Sequence, residues 1–160
     1  MKSLVSGLAL LLMFMVAARS QSPDSTEAGG SLKMSFEYAS NRNSLLVRVR
    51  INGKPALLIL DTGSAHTVLR PDAAGVPRSE LAPVRTSRSN AGFMGDAMVR
   101  EVKLQVGHHM WSRRRVVVMD ISDILAAYPE KPDGLLGLDF FQPYARVVMD
   151  FQERTITLTR

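Results

Sequence analysis

The sequence predicts a mostly β fold, a small barrel that is either closed or folded over on itself, with one or two short helices. Apolar residues recur with a period of two, as in Leu32, Met34, Phe36 and Tyr38 and again in Leu45, Val47, Val49 and Ile51. Turn-forming residues separate these runs. Helical periodicity is confined to Ser122 to Tyr128, stopped by Pro129, and to a turn or two around Leu138 to Gln142, stopped by Pro143.

Each strand has its own signal. In LKMSFEY and LLVRVRIN one face is apolar and the other polar, so each is expected to line a core on one side and meet water on the other. Asn52-Gly53 follows the second run and suits the two positive φ angles of a type I′ hairpin turn. The return strand, Ala56 to Leu60, does not alternate, which predicts a central strand covered on both faces. Whatever follows Leu60 should therefore emerge from the deepest part of the fold. Val102, Leu104 and Val106 alternate with Glu101, Lys103 and Gln105; Gly107-His108-His109 marks a turn, and Val116 to Ile121 reads as another buried strand. Val147, Met149 and Phe151 lead through Gln152-Glu153 to Ile156 and Leu158, a last hairpin.

A chain of 160 residues is expected to form one domain, here residues 32–160. Residues 1–20 run from Lys2 through an apolar stretch to Ala17, Ala18 and Ser20, the pattern of a signal peptide cleaved after Ala18 or Ser20. The stretch from Leu4 to Ala18 has 15 residues, against the ~20 that span a bilayer. The expectation is an exported protein, periplasmic or secreted, with no stable membrane anchor once the peptide is removed. Residues 21–31, QSPDSTEAGGS, read as a flexible leader. With no Cys there is no disulfide framework, thiolate zinc site, Cys nucleophile or Cys-linked lipid. The net charge of +5 falls to +3 without residues 1–20, and aromatic residues are 6% of the chain, which argues against a nucleic-acid partner.

Asp61-Thr62-Gly63-Ser64 stands directly after the buried run that ends at Leu60. A carboxylate there is costly unless hydrogen-bonded or paired. The plainer alternative is a surface turn built from ordinary turn formers. Further on, Gly134-Leu135-Leu136-Gly137 encloses two apolar residues between glycines, preceded by Asp133 and followed by Leu138-Asp139-Phe140-Phe141.

LLILDTGSAHTVL and DGLLGLDFF, in that order and spacing, resemble the two ends of the retropepsin-like aspartic proteases, the half-size relatives of pepsin; the similarity extends over roughly residues 32–160. The resemblance implies a small closed acid-protease barrel, Asp61 as the catalytic aspartate and Thr62 as a link between two active-site loops through its hydroxyl. It implies a Gly63 that lets backbone N–H groups approach the carboxylate, Ser64 as an outer hydrogen-bond partner, and Leu135, Leu136 and Gly137 as the supporting strand. It also implies a flap over a polypeptide substrate at Gly92, Phe93, Met94 and Gly95; the same glycines suit a plain surface hairpin. Peptide hydrolysis of this class uses two carboxyls sharing one proton. D-T-G occurs once, so the second carboxyl is expected from a homodimer. Asp133 lacks the Thr and follows Pro132, and Asp139 is expected to cap the short helix. A catalytically silent binding or assembly module of the same fold is the alternative. No cofactor is expected, and His66, His108 and His109 lack metal-ligand spacing. Arg113-Arg114-Arg115 is expected at the start of a strand near a solvated edge.

Overall fold

The computed structural model describes residues 31–83 and 96–160. Its strands are β1 (Ser31–Ser35), β2 (Glu37–Tyr38), β3 (Leu45–Ile51), β4 (Lys54–Leu60), β5 (Val68–Leu69), β6 (Ala82–Pro83), β7 (Asp96–Val106), β8 (His109–Met119), β9 (Gly134–Leu136), β10 (Arg146–Asp150) and β11 (Thr155–Thr159). Among the described residues helix is limited to α1 (Pro71–Ala74), α2 (Ser122–Leu125) and 3₁₀ turns at Arg78–Glu80 and Leu138–Phe140. Residues 1–30, with the expected signal peptide and most of the leader, lie outside the described residues, as does 84–95.

The barrel closes. Strands β3, β4, β9, β5, β8 and β7 follow one another in hydrogen-bonded order, and β7 returns to β3 through Arg50 opposite Gln105 and Ile51 opposite Leu104. Asn52 reinforces that seam: its N–H donates to the Lys103 carbonyl at 2.8 Å and its Oδ1 accepts the Lys103 N–H at 2.9 Å. It also makes the predicted turn, with φ of 51° at Asn52 and 83° at Gly53, setting Ile51 opposite Lys54. A second sheet, β1-β11-β10, pairs Leu32 with Leu158 and Met34 with Ile156, so the two ends of the domain meet.

Burial explains why β4 does not alternate. Leu58 lies in the main core with Val47, Leu104, Val118, Leu136 and Phe140, whereas its neighbour Ile59 lies in a second cluster with Ala39, Leu46, Ile121 and Leu125. Consecutive side chains point to opposite faces, and both faces are covered. The outer cover comes from α2, which contributes Leu125.

Several elements depart from expectation. LKMSFEY is two strands: β1 pairs with β11, β2 pairs with β3, and buried Phe36 sits between them with its N–H donating to Arg154 O at 3.0 Å. Tyr38 follows β2 to the surface, where its ring meets the edge of Phe36. The unpredicted α1 has Pro71 at its start and Gly75 in the left-handed conformation at its end, a local Pro-to-Gly signature. In β10, Val147 and Val148 are both exposed, and Phe151 is 57% exposed in the following turn, so this edge strand does not bury one face as its spacing suggested.

Candidate active site

Asp61 is delivered by β4. Its N–H donates to Leu136 O at 3.0 Å, and β4 runs parallel to β9 with Leu60 opposite Leu136. The side chain is half-buried at the start of a loop that ends at buried Thr67. Oδ1 accepts the Gly63 N–H at 2.9 Å, the approach that a side-chain-free residue permits. Ser64 N–H closes the turn on Asp61 O at 3.2 Å, and the Ser64 hydroxyl donates to His66 O at 2.7 Å. Thr62 is exposed.

The 137–139 segment is sewn to this loop. Leu138 N–H donates to Ser64 O at 2.8 Å, Asp139 N–H to Ala65 O at 3.3 Å, and Gly137 N–H to Thr67 Oγ1 at 3.3 Å. The glycines on either side of Leu135-Leu136 make the approach possible. A Cβ on Gly134 would stand 2.1 Å from Val68 O, and one on Gly137 would stand 2.3 Å from His66 C and O.

The two other carboxylates near β9 are structural. Asp133 Oδ2 accepts the Leu57 N–H at 2.9 Å, Oδ1 accepts from Arg70 Nη2 at 3.0 Å, and its backbone N–H donates to Leu57 O at 2.7 Å. It locks the start of β9 to β4 and to the chain leaving β5. Asp139 does not cap the short helix: Gly137 holds the cap position, and no side chain caps the turn. Instead Asp139 Oδ1 accepts both the Thr67 N–H and the Thr67 hydroxyl, each at 2.8 Å, while Oδ2 lies 3.2 Å from Arg114 Nη2. Thr67 and Arg114 carry no signal in the sequence beyond their types. The Arg113–Arg115 expectation is corrected in part: Arg113 and Arg115 are exposed, but the run lies inside β8 and not at its start, and Arg114 is buried.

His66 is exposed on the loop, whereas His108 and His109 belong to the β7–β8 turn and the start of β8; no group of three potential metal ligands occurs among the described residues. Gly92, Phe93, Met94 and Gly95 lie outside the described residues, between β6 and β7, whose ends pair antiparallel with Ala82 opposite Ala97.

A six-stranded closed barrel with a D-T-G loop braced by an apolar-Gly strand defines a retropepsin-like aspartic protease fold. A family model described as aspartyl protease matches residues 47–140, more than half of the chain, and the chain belongs to that family. Among solved structures, a retropepsin-like aspartic protease from Rickettsia conorii matches with a TM-score of 0.55 at 14% identity, covering 81% of this chain and 90% of that one. The retroviral protease-like domain of Ddi1 from Leishmania major gives 0.45 at 16% identity, covering 79% and 89%. EIAV protease, complexed with the inhibitor HBY-793, gives 0.44 at 19%, covering 65% and 90%. The likeness to the Rickettsia conorii structure is one of fold. No curated protein matches.

Proposed function

We propose that the chain is an aspartic endopeptidase that acts as a homodimer, with two Asp61 carboxyls facing each other across a two-fold axis. The observation that carries this reading is the contrast among the carboxylates around β9. Asp133 and Asp139 are each tied to an arginine, while Asp61 has one oxygen held by Gly63 N–H and no hydrogen-bond or ion-pair partner for the other among the described residues. One such group cannot be acid and base together, so a second copy must supply its equal. The exposed Val147, Val148 and Phe151, at the free edge of the β1-β11-β10 sheet, offer apolar surface for that copy.

In the mechanism, the two carboxyls share one proton because two like charges at contact distance do not both ionise. The ionised carboxylate takes a proton from a water held between them, and the water oxygen bonds to the scissile carbonyl carbon. The protonated carboxyl gives its proton to the carbonyl oxygen, forming a neutral tetrahedral diol. Proton return to the nitrogen and cleavage of the C–N bond release an amine and a carboxylic acid. Gly63 orients the carboxylate, Thr62 reaches across to the partner loop, and Ser64 steadies the loop through His66 O. Gly92, Phe93, Met94 and Gly95, outside the described residues, stay substrate-binding in this reading, for an extended peptide bound by strand-type main-chain hydrogen bonds. The protein acts after export and loss of residues 1–20; an intact Met1 in a membrane fraction, read by mass spectrometry, would contradict that.

The test is a peptide-library digest at acidic and neutral pH with the mature protein and with Asp61→Asn. The wild type should cleave, and the variant should be slower by about 10²–10⁴-fold or more while remaining folded. Equal cleavage by both would remove Asp61 from the chemistry. No cleavage by a folded, dimeric wild type would favour the silent binding module.

A further inference from the structure

Arg113-Arg114-Arg115 is one charge run in the sequence but not one environment in the fold. Arg113 pairs with Glu101 across β8 and β7, Nε to Oε2 at 2.8 Å, on the exposed face. Arg114 is 8% exposed. A slip in register separates them: Val102 faces Arg114 but Leu104 faces Trp111, so Ser112 and Arg113 together lie opposite Lys103. Such a bulge changes the phase of a strand, and here it brings both Trp111 and Arg114 inside.

A guanidinium in the interior requires a counter-charge, and Asp139 supplies it. The division of labour on that carboxylate is informative. Oδ2 faces Arg114, and Oδ1 accepts both donors of Thr67. Thr67 is held at its remaining polar atoms as well: its hydroxyl oxygen accepts the Gly137 N–H, and its carbonyl accepts the Val117 N–H at 2.9 Å. The loop from Asp61 is thus anchored at one end on Leu136 O and at the other on Asp139, whose second oxygen faces Arg114. The pair adds little net stability, since Arg114 makes one 3.2 Å contact with the carboxylate and its Nε is buried without a partner among the described residues. Its effect is on geometry.

We propose that Arg114 is a positioning residue for Asp61, acting through Asp139 and Thr67 and touching neither the substrate nor the reacting atoms. This rests on the protease reading above.

The test compares Arg114→Met, Arg114→Lys and the control Arg113→Met in the full mature chain. Arg114→Met should lower kcat by about 10- to 100-fold, as small misplacements of a catalytic group do. KM should stay within about threefold, because the substrate contacts remain. Arg114→Lys keeps the charge and should recover part of the loss, and Arg113→Met should leave kcat unchanged. Amide exchange gives a readout independent of turnover: the Thr67 N–H should exchange about tenfold faster in Arg114→Met while the β3 and β4 amides keep their protection. A kcat within about twofold of wild type would overturn the proposal. So would a loss that vanishes at a temperature where the variant is fully folded. If Arg114→Met does not fold, Arg114→Met combined with Asp139→Asn removes the uncompensated charge but still offers Thr67 an oxygen. That double variant should fold and remain slow, and wild-type kcat in it would overturn the proposal. If the wild type itself cleaves nothing, the protease reading fails, and Thr67 exchange alone decides whether Arg114 positions the loop.

Discussion

A methyl group on Gly137 would stand 2.3 Å from the backbone carbon of His66 and 2.7 Å from Thr67 N, closer than real Cβ contacts come, and both obstacles are main chain. The φ of Gly137 is −84°, so the constraint is space and not conformation. Gly137→Ala must push the 64–67 loop away from the segment that braces it, breaking the Thr67 and Ser64 bonds that hold Asp61 in place. We expect the substitution to lower stability by about 2–4 kcal/mol in urea unfolding, in the range of strained core changes. Turnover should fall even at temperatures where the variant is folded. A stability loss below about 1 kcal/mol would mean that the loop moves aside freely. Asp61 itself was legible in the sequence, because a carboxylate after five apolar residues demands an explanation. The residues that hold its loop were not: Thr67 and Asp139 lie 72 positions apart with Arg114 between them, and only folding brings the three together.

At the scale of elements, periodicity reported exposure well in β3 and β4 but not in β10, and it reported partners poorly. The unbroken apolar run of β4 announced a strand with two covered faces, and Leu58 and Ile59 fill one core cluster each. The Asn52-Gly53 turn was readable because only a few residues tolerate two positive φ angles in succession. By contrast, the alternation of LKMSFEY continues through Phe36 although the chain changes sheets there; a period of two does not say which neighbour a strand bonds. The same limit hid Arg114. Three consecutive arginines look like a solvated stretch, yet the middle one shares its face with buried Val116 and Val118, and the bulge opposite Lys103 sets Trp111 on that face too. Helix α1 was missed because four residues give no period to detect, although its Pro71 and Gly75 termini were in plain sight.

At the scale of the molecule, the proposed shared site would make activity a property of concentration. Specific activity should fall on dilution below the dimer dissociation constant, whereas a self-contained site would give a constant value. Mixing with excess Asp61→Asn chains should poison the wild type, because most wild-type chains then sit in heterodimers with a single carboxylate. Hydrolysis that scales only with the amount of wild-type chain, together with a monomeric mass in sedimentation, would refute the shared site. Val148→Arg on the exposed edge of β10, where Val148 is 50% accessible, should raise the dilution midpoint. The parallel pairing of β4 with β9, which joins Leu58 to Gly134 and Leu60 to Leu136, has a further consequence in time. A ribosome delivers Asp61 long before it delivers Leu136, and the bond from Asp61 N–H to Leu136 O waits for the later segment. β1 waits longer still for β11. Contacts this distant along the chain fold late. The nascent polypeptide therefore carries Asp61 on an unbraced loop until β9 has been made.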